Sequence, residues 1–313
     1  MSAPAHAQHI WVLGEALMDC VAQPDGSLLP LMGGSPFNLA RAAALRGARV
    51  GFLNPMSTDL FGQHMRAQLA ADGVELLLPE SRKPTALAVV QISNGQPSYG
   101  FYREGIADRD YTAAQVLAKL STTAPGVLHT GSLLLVPPEH EKVLAVLGGA
   151  KALGWTISVD VNLRPKLASD LNAYLAAVRQ VARLADWIKA SDEDLEILGY
   201  VQATRANATA IAQTFINQGA SRVALTFGAQ GAYLSVNGPS AAQDVPPVTL
   251  VDSVGAGDTF WGNCLGDWAL QPEGAAQRVD ATLRQAMCAA AINCTRAGCQ
   301  PPSHAEVMAQ LQT

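Results

Sequence analysis

The apolar positions of this chain fall into short runs separated by stretches of helical spacing. His9 to Leu13 is an apolar run that stops at Gly14, as a buried strand does. Gly33-Gly34-Ser35-Pro36-Phe37-Asn38 then opens a helix over Leu39 to Arg46, closed by Gly47. Ser35 is the expected N-cap, and Pro36 suits the first helical position. Val50 to Leu53 reads as a strand and Gln63 to Ala71 as a helix, with Gly73 just past its end.

From Gly126 onward the alternation is regular. Strand Val127 to His129 precedes helix Glu139 to Leu153, and strand Thr156 to Val161 precedes helix Leu171 to Ala185. Strand Trp187 to Ala190 leads to a short helix, Glu193 to Leu198, and helix Ala206 to Gln218 leads to strand Arg222 to Phe227. One more strand, Tyr233 to Val236, and two helices, Thr259 to Leu270 and Ala281 to Arg296, complete the pattern. This rhythm predicts a mostly parallel sheet with helices on both faces. Ligands of such sheets bind beyond the carboxyl ends of the strands. The polar candidates fall there: Glu15 and Asp19, Asn162 and Arg164, Ser191 to Asp194, and the turn at Gly228.

Two segments break the rhythm. Leu17 to Leu31 and Thr85 to Tyr102 alternate in polarity and carry the turn pairs Asp25-Gly26 and Asn94-Gly95. Both predict hairpins, and together a small β-sheet projecting from the main body.

Composition narrows the function classes. The 313 residues are 49% hydrophobic, enough for one large α/β domain or two small ones, and no internal repeat or low-complexity linker divides them. The net charge of −5, with no basic run, argues against nucleic acid or an anionic membrane surface as partner. No apolar stretch is long enough for a membrane span, and Met1 to His9 reads as a disordered lead without the pattern of a secretion signal. The cysteines are Cys20, Cys264, Cys288, Cys294 and Cys299, an odd number without a C-x-x-C pair. Reduced thiols in a cytoplasmic protein are the expectation.

The candidate chemistry centres on Asp252-Ser253-Val254-Gly255-Ala256-Gly257-Asp258-Thr259-Phe260. A glycine-rich turn at a helix start can aim several backbone N–H groups at one point, where the helix dipole is positive. A polyphosphate fits that place, and Asp258 stands beside it as a proton acceptor. An anion cradle with a carboxylate base is the minimum for moving a phosphoryl group onto a hydroxyl. An ordinary loop with an Asp cap is the plainer alternative. Neither a G-x-x-x-x-G-K-[ST] loop nor a G-x-G-x-x-G turn after the first strand is present, which disfavours a nicotinamide-dependent oxidoreductase.

With these residues the chain resembles the ribokinase/fructokinase (PfkB) family of carbohydrate kinases. Gly33 to Gly62, ending in Asp59-Leu60-Phe61-Gly62, and Asp252 to Phe260 carry the resemblance, which spans nearly the whole chain. It implies a single ribokinase-like domain over residues 1–313, with a three-layer α/β/α body and a discontinuous β lid from about 16–32 and 84–110. It implies ATP as donor, Mg²⁺ as helper and a hydroxymethyl group as acceptor. Asp258 matches the catalytic base, and the amides of Gly255, Ala256 and Gly257 match the site that stabilises the transferring group.

The other matches follow residue by residue. Asp19, Gly34 and Asn38 match positions that bind sugar hydroxyls. Asp160-Val161-Asn162-Leu163-Arg164-Pro165 is similar to a D-x-N-x-R segment, which places Arg164 at a phosphate or the acceptor. Lys189 to Asp194 occupies the place of an N-x-x-E motif, with Ser191 for Asn and Asp194 for Glu. Asp194 would hold Mg²⁺ through water, with Glu193 as a competitor. Lys189, Thr226, Gly228, Gly231 and Asn293 match nucleotide-binding positions. Asp252, Val254, Asn293, Arg296 and Gly298 fall where some members hold K⁺. The lid sheet is also where some members form a homodimer.

Three local features lean toward fructose: Gly14 to Asp19, Gly33 to Asn38 and Tyr99 to Arg109, where Arg103 meets the acceptor or braces the lid. Lys166-Leu167-Ala168 departs from the Leu-Trp usual after Arg-Pro in fructokinases. A 2-keto-3-deoxygluconate kinase, another sugar or nucleoside kinase, and a catalytically silent sugar-binding regulator are the alternatives.

Overall fold

Strand β1 (His9–Val12) feeds two separate apolar cores. Ile10 and Val12 pack in a cluster with Phe37, Leu39, Trp261 and Trp268. Trp11, with Leu13 just beyond the strand, packs in another with Val143, Leu147 and Ile157. A strand buried on both faces must lie in the middle layer of three, covered by helices on either side. The computed structural model describes residues 7–93 and 96–312. Most of the expected N-terminal lead and the Asn94-Gly95 turn lie outside the described residues.

The chain leaves the body after β1 to form β2 (Leu17–Ala22) and β3 (Leu28–Gly33), returns as α1 (Ser35–Leu45), β4 (Arg49–Phe52), α2 (Leu60–Ala71) and β5 (Val74–Leu76), and leaves again as β6 (Ala86–Ser93) and β7 (Gln96–Tyr102). It then alternates through α3 (Ala113–Ser121), β8 (Val127–Gly131), α4 (His140–Ala152), β9 (Thr156–Asp160), α5 (Leu171–Ala182) and β10 (Trp187–Ser191). The remainder is α6 (Asp192–Ile197), α7 (Ala208–Asn217), β11 (Arg222–Thr226), β12 (Ala232–Val236), β13 (Ser240–Gln243), α8 (Ala256–Leu270), α9 (Val279–Asn293) and α10 (His304–Gln310).

Nine strands form the body sheet in the order β13-β12-β11-β10-β9-β8-β1-β4-β5. All neighbours pair in parallel except β12, which is antiparallel to both β11 and β13. The second sheet has the order β3-β2-β6-β7. Its two antiparallel hairpins join through the parallel pair β2–β6, where Asp19 faces Ala88. This is the three-layer α/β body with a small lid sheet that the alternation predicted. The lid seats on the body through a small cluster of Leu17, Ala86, Ala88, Ile106 and Leu133.

Four elements exceed the sequence reading: α3, α10, β5 and β13. Two boundaries carry chemistry. Helix α8 begins at Ala256, not Thr259, so Asp258 lies inside its first turn. The N-cap of α1 is Gly34 rather than Ser35, because the chain enters the helix with φ 104°. Helices α1 and α8 pack closely because Gly262 offers no side chain: a Cβ there would sit 2.7 Å from Ala42 Cβ and 2.8 Å from the Leu39 carbonyl. Helix α8 also buries Phe260, Trp261, Leu265 and Trp268. Each such side chain contributes about 1.5–3 kcal/mol, which anchors the turn that precedes the helix.

Candidate active site

The N-terminal turns of α1 and α8 meet at Asp258. Its Oδ1 accepts from Ser35 Oγ at 2.7 Å and its Oδ2 from Asn38 Nδ2 at 2.9 Å. The carboxyl group is buried, with the residue only 7% exposed. Burial pushes its pKa up, and the bonds from Ser35 and Asn38, with Lys189 and Arg164 nearby, oppose that rise. The sequence pointed to Asp258 and Asn38, but not to their contact. Ser35 was visible only as a cap; its hydroxyl instead orients the carboxylate.

Gly255 is the N-cap of α8 in a left-handed conformation, φ 74°, and no side chain caps the helix. Ala256 N–H donates to the Ser253 carbonyl at 3.2 Å, so of the three expected amides those of Gly255 and Gly257 remain open to an anion. Lys189 lies beneath this turn: a Cβ on Gly257 would fall 3.2 Å from Lys189 Nζ. The ammonium is buried and donates to both carboxylate oxygens of Asp160, at 3.0 and 2.9 Å. Burial works against its charge, but Asp160, Asp194 and Asp258 outweigh it and raise its pKa. Lys189 thus comes to the cradle as a fixed buried charge rather than a free arm. Asp160 is a member of the site to which the sequence reading gave no role of its own.

Asp19 projects from β2 beside the entry to α1, close enough to Gly33 that a Cβ there would fall 2.2 Å from its Oδ2. Desolvation pushes its pKa up to about 6; Arg164 opposes this, while Asp258 and Glu15 add to it. Asp19, Asp258, Glu15 and Arg164 therefore share one field. Arg164 folds back on its own turn, where Nη1 donates to Asn162 Oδ1 at 2.6 Å and to the Leu163 carbonyl at 2.9 Å. Arg103 is half-buried at the lid return and donates weakly to the Leu133 carbonyl at 3.5 Å. Its charge opposes the burial-raised pKa values of both Glu15 and Asp108. Gly34 sits at the helix entry between these groups, its α-carbon facing the Glu15 carbonyl.

The nucleotide-side candidates divide. Thr226 ends β11, and the turn that follows is closed by Phe227 N donating to the Gly231 carbonyl at 2.9 Å. Gly228 and Gly231 both take positive φ, 49° and 92°. Asn293 is fully buried and does not present its amide to a ligand. It staples two loops: Nδ2 donates to the Val254 carbonyl at 2.8 Å, and Oδ1 accepts from Gln300 N at 2.8 Å. Asp252 does the same, accepting from Val254 N at 3.0 Å and from Gly298 N at 2.9 Å. Asp252, Val254, Asn293 and Gly298 are thus gathered beside the cradle, whereas Arg296 turns outward to pair with Glu306.

Asp194 fits a direct metal ligand poorly. Oδ1 accepts from Leu163 N at 2.6 Å, and Oδ2 accepts from Ser191 N and Oγ at 2.8 Å each, so the carboxylate ties β9 to the start of α6. The competing Glu193 is exposed in the first turn of that helix, whereas Asp194 is buried. Among the described residues no group of three or more His, Cys, Asp or Glu side chains gathers as a metal site. The five cysteines are free, and no described helix is long and apolar enough to cross a membrane.

A buried carboxylate at an uncapped helix start, on an α/β body under a lid, defines a class. The profile of the pfkB family carbohydrate kinases matches residues 7–306, and this chain belongs to that family of ATP-dependent carbohydrate kinases. A fructokinase of Rhizobium leguminosarum bv. trifolii is 32% identical over 252 residues, covering 79% of this chain and 76% of its own. A crystal structure of a fructokinase with bound ATP from Xylella fastidiosa matches with a TM-score of 0.82 at 29% identity, covering 97% of this chain and 98% of that one. A double-mutant fructokinase from Vibrio cholerae, solved with fructose, ADP and potassium ion, matches with a TM-score of 0.82 at 25% identity, over 97% and 98% of the two chains.

Proposed function

We propose that the chain phosphorylates the terminal hydroxymethyl group of a ketohexose, with fructose as acceptor and fructose 6-phosphate as product. The observation that carries this is the placement of the Asp258 carboxylate beside the open first turn of α8, in the same field as Asp19 of the lid. The acceptor oxygen attacks the γ-phosphorus of ATP as its proton passes to Asp258. An O–P bond forms, and the bond to the β–γ bridging oxygen breaks with its electron pair leaving on ADP. The open amides of Gly255 and Gly257 stabilise charge on the transferring group, with Lys189 beneath them and Ala256 N–H holding the turn through the Ser253 carbonyl.

In this reading Asp19 and Asn38 bind acceptor hydroxyls, while Thr226, Gly228 and Gly231 line the nucleotide path. Asn293 shapes that path through its two loop bonds. Glu15 and Asp108 lie close enough to Arg103 for their fields to interact, which favours a neutral acceptor over a keto-acid. Relatives named fructokinase, at 32% identity and below, support the same choice. Mg²⁺ would travel with the nucleotide, held by phosphates and water, since Asp194 is already engaged. The loops joined by Asp252 and Asn293 offer main-chain oxygens for K⁺ beside the cradle. The whole chain acts as one kinase domain. The exposed Leu28, Leu29 and Tyr102 of the lid pair two copies in a homodimer, which sedimentation would show.

The deciding experiment measures ADP release with fructose, ribose, tagatose, 2-keto-3-deoxygluconate and adenosine, each with and without K⁺. Fructose should give the highest kcat/KM. Sugar binding without ADP release would instead mark a silent regulator.

A further inference from the structure

We propose that Asn54, just beyond β4, is the positioning residue that sets the lid on the body. Its side chain is buried, and the residue is 2% exposed. Oδ1 accepts from Gly14 N at 2.6 Å, and Nδ2 donates to the Asp108 carbonyl at 2.7 Å. Gly14 lies where the chain leaves β1 for the lid strand β2, and Asp108 where it returns from β7. One amide thus pins one crossing of each hairpin to the end of a body strand.

The chemistry suits asparagine alone among side chains of its size. A buried N–H and a buried C=O must be satisfied by one group, which needs an acceptor and a donor at the same carbon. Removing it leaves both partners buried and unpaired. The crossing it holds is tightly packed against the active site. Gly14 faces Pro36 so closely that a Cβ would sit 2.0 Å from Pro36 Cγ, and Pro36 lies in the turn of α1 that carries Ser35 and Asn38 to Asp258. Beyond Asp108 the return is braced again: Arg109 donates to the Arg103 carbonyl at 3.0 Å and pairs with Glu139 at 2.9 Å. Asn54 therefore fixes the direction in which β2 carries Asp19 toward Asp258, and beyond this pivot the lid strands rest on the body through the cluster of Leu17, Ala86, Ala88, Ile106 and Leu133.

The inference rests on the reading that the lid covers the acceptor. The test compares wild-type enzyme with Asn54→Ala, using fructose or whichever sugar of the screen above the wild type turns over. Failure of wild type on fructose removes the acceptor assignment and leaves this comparison intact with the other sugar. The expected result is an acceptor KM raised about tenfold, an ATP KM within about twofold, and sugar-independent ADP release raised severalfold as the lid admits water. An acceptor KM and sugar-free ADP release both within twofold of wild type overturn the proposal, as does an equal rise in both KM values. Should the variant not fold, hydrogen exchange on wild type decides. The Gly14 amide should stay protected while β2 and β3 exchange faster, and exchange of Gly14 as fast as those strands overturns the assignment.

Discussion

The side-chain amide of Asn38 donates to the carboxylate of Asp258 at 2.9 Å, across 220 residues of sequence. With Ser35 on the other oxygen, the carboxylate is held in one orientation before any acceptor arrives. Replacing Asp258 by Asn keeps the volume and removes the base. Turnover in the ADP-release assay should fall about 10²- to 10⁴-fold, while calorimetry shows acceptor binding within a few-fold of wild type. Normal turnover would remove Asp258 from the role of base.

The same two bonds set the pH range of activity. Burial raises the Asp258 pKa, and the Ser35 hydroxyl, donating to the charged form, is the largest influence opposing it. A base must be ionised to act, so kcat/KM falls as pH drops through its pKa. Ser35→Ala removes a stabiliser of the ionised form and raises the pKa further. The acid limb of the kcat/KM profile should therefore move to higher pH. A limb that stays in place or moves to lower pH contradicts the assignment.

How much of this was legible before the structure follows from the kind of interaction each feature needs. The strands β1, β8, β9, β10 and β11 are short apolar runs that local pattern reveals. The lid hairpins show in their alternation and turn residues. Strand β13, Ser-Ala-Ala-Gln, has almost no pattern and exists because β12 pairs with it. Helices α3 and α10 did carry local signals, the capping boxes Thr112/Gln115 and Ser303/Glu306. The site divides in the same way. The Gly255 to Asp258 turn is a local motif. The bonds of Ser35 and Asn38 to Asp258, the pairing of Lys189 with Asp160 and the inward turn of Asn293 are tertiary contacts that no spacing encodes.

Asp108 makes stability depend on pH. Both of its carboxylate oxygens are buried and lack a well-formed hydrogen bond, although the Ala16 N–H favours the charged form from nearby. Desolvation pushes its pKa up to about 7; Arg103 opposes this and Glu15 adds to it. The native state keeps a proton that the unfolded chain releases near its ordinary value of 3.8. Native stability from this group is complete below that value and is lost as pH rises toward 7. Asp108→Asn cannot ionise, so its stability relative to wild type should grow between pH 4 and pH 8, by up to about 4 kcal/mol. Urea unfolding at pH 5 and pH 8 measures this, and a difference that shrinks as pH rises contradicts it.

Gly255 is required at the cradle for two separable reasons. Its φ of 74° is left-handed, and a Cβ would sit 2.1 Å from the Cys299 Sγ. Gly255→Ala should lower stability by the backbone strain, about 1–3 kcal/mol, plus the clash with the thiol. It should also cut turnover by displacing the amides of the first turn of α8. Adding Cys299→Ala removes the 2.1 Å contact with Sγ but leaves the Cβ of residue 299 at 2.6 Å and the backbone strain. The double variant should therefore recover part of the melting temperature and part of the activity lost by Gly255→Ala, without reaching the wild type. Full recovery would mean that neither the left-handed conformation nor the remaining Cβ contact carries a cost, and no recovery would mean that the thiol contributes nothing to the loss.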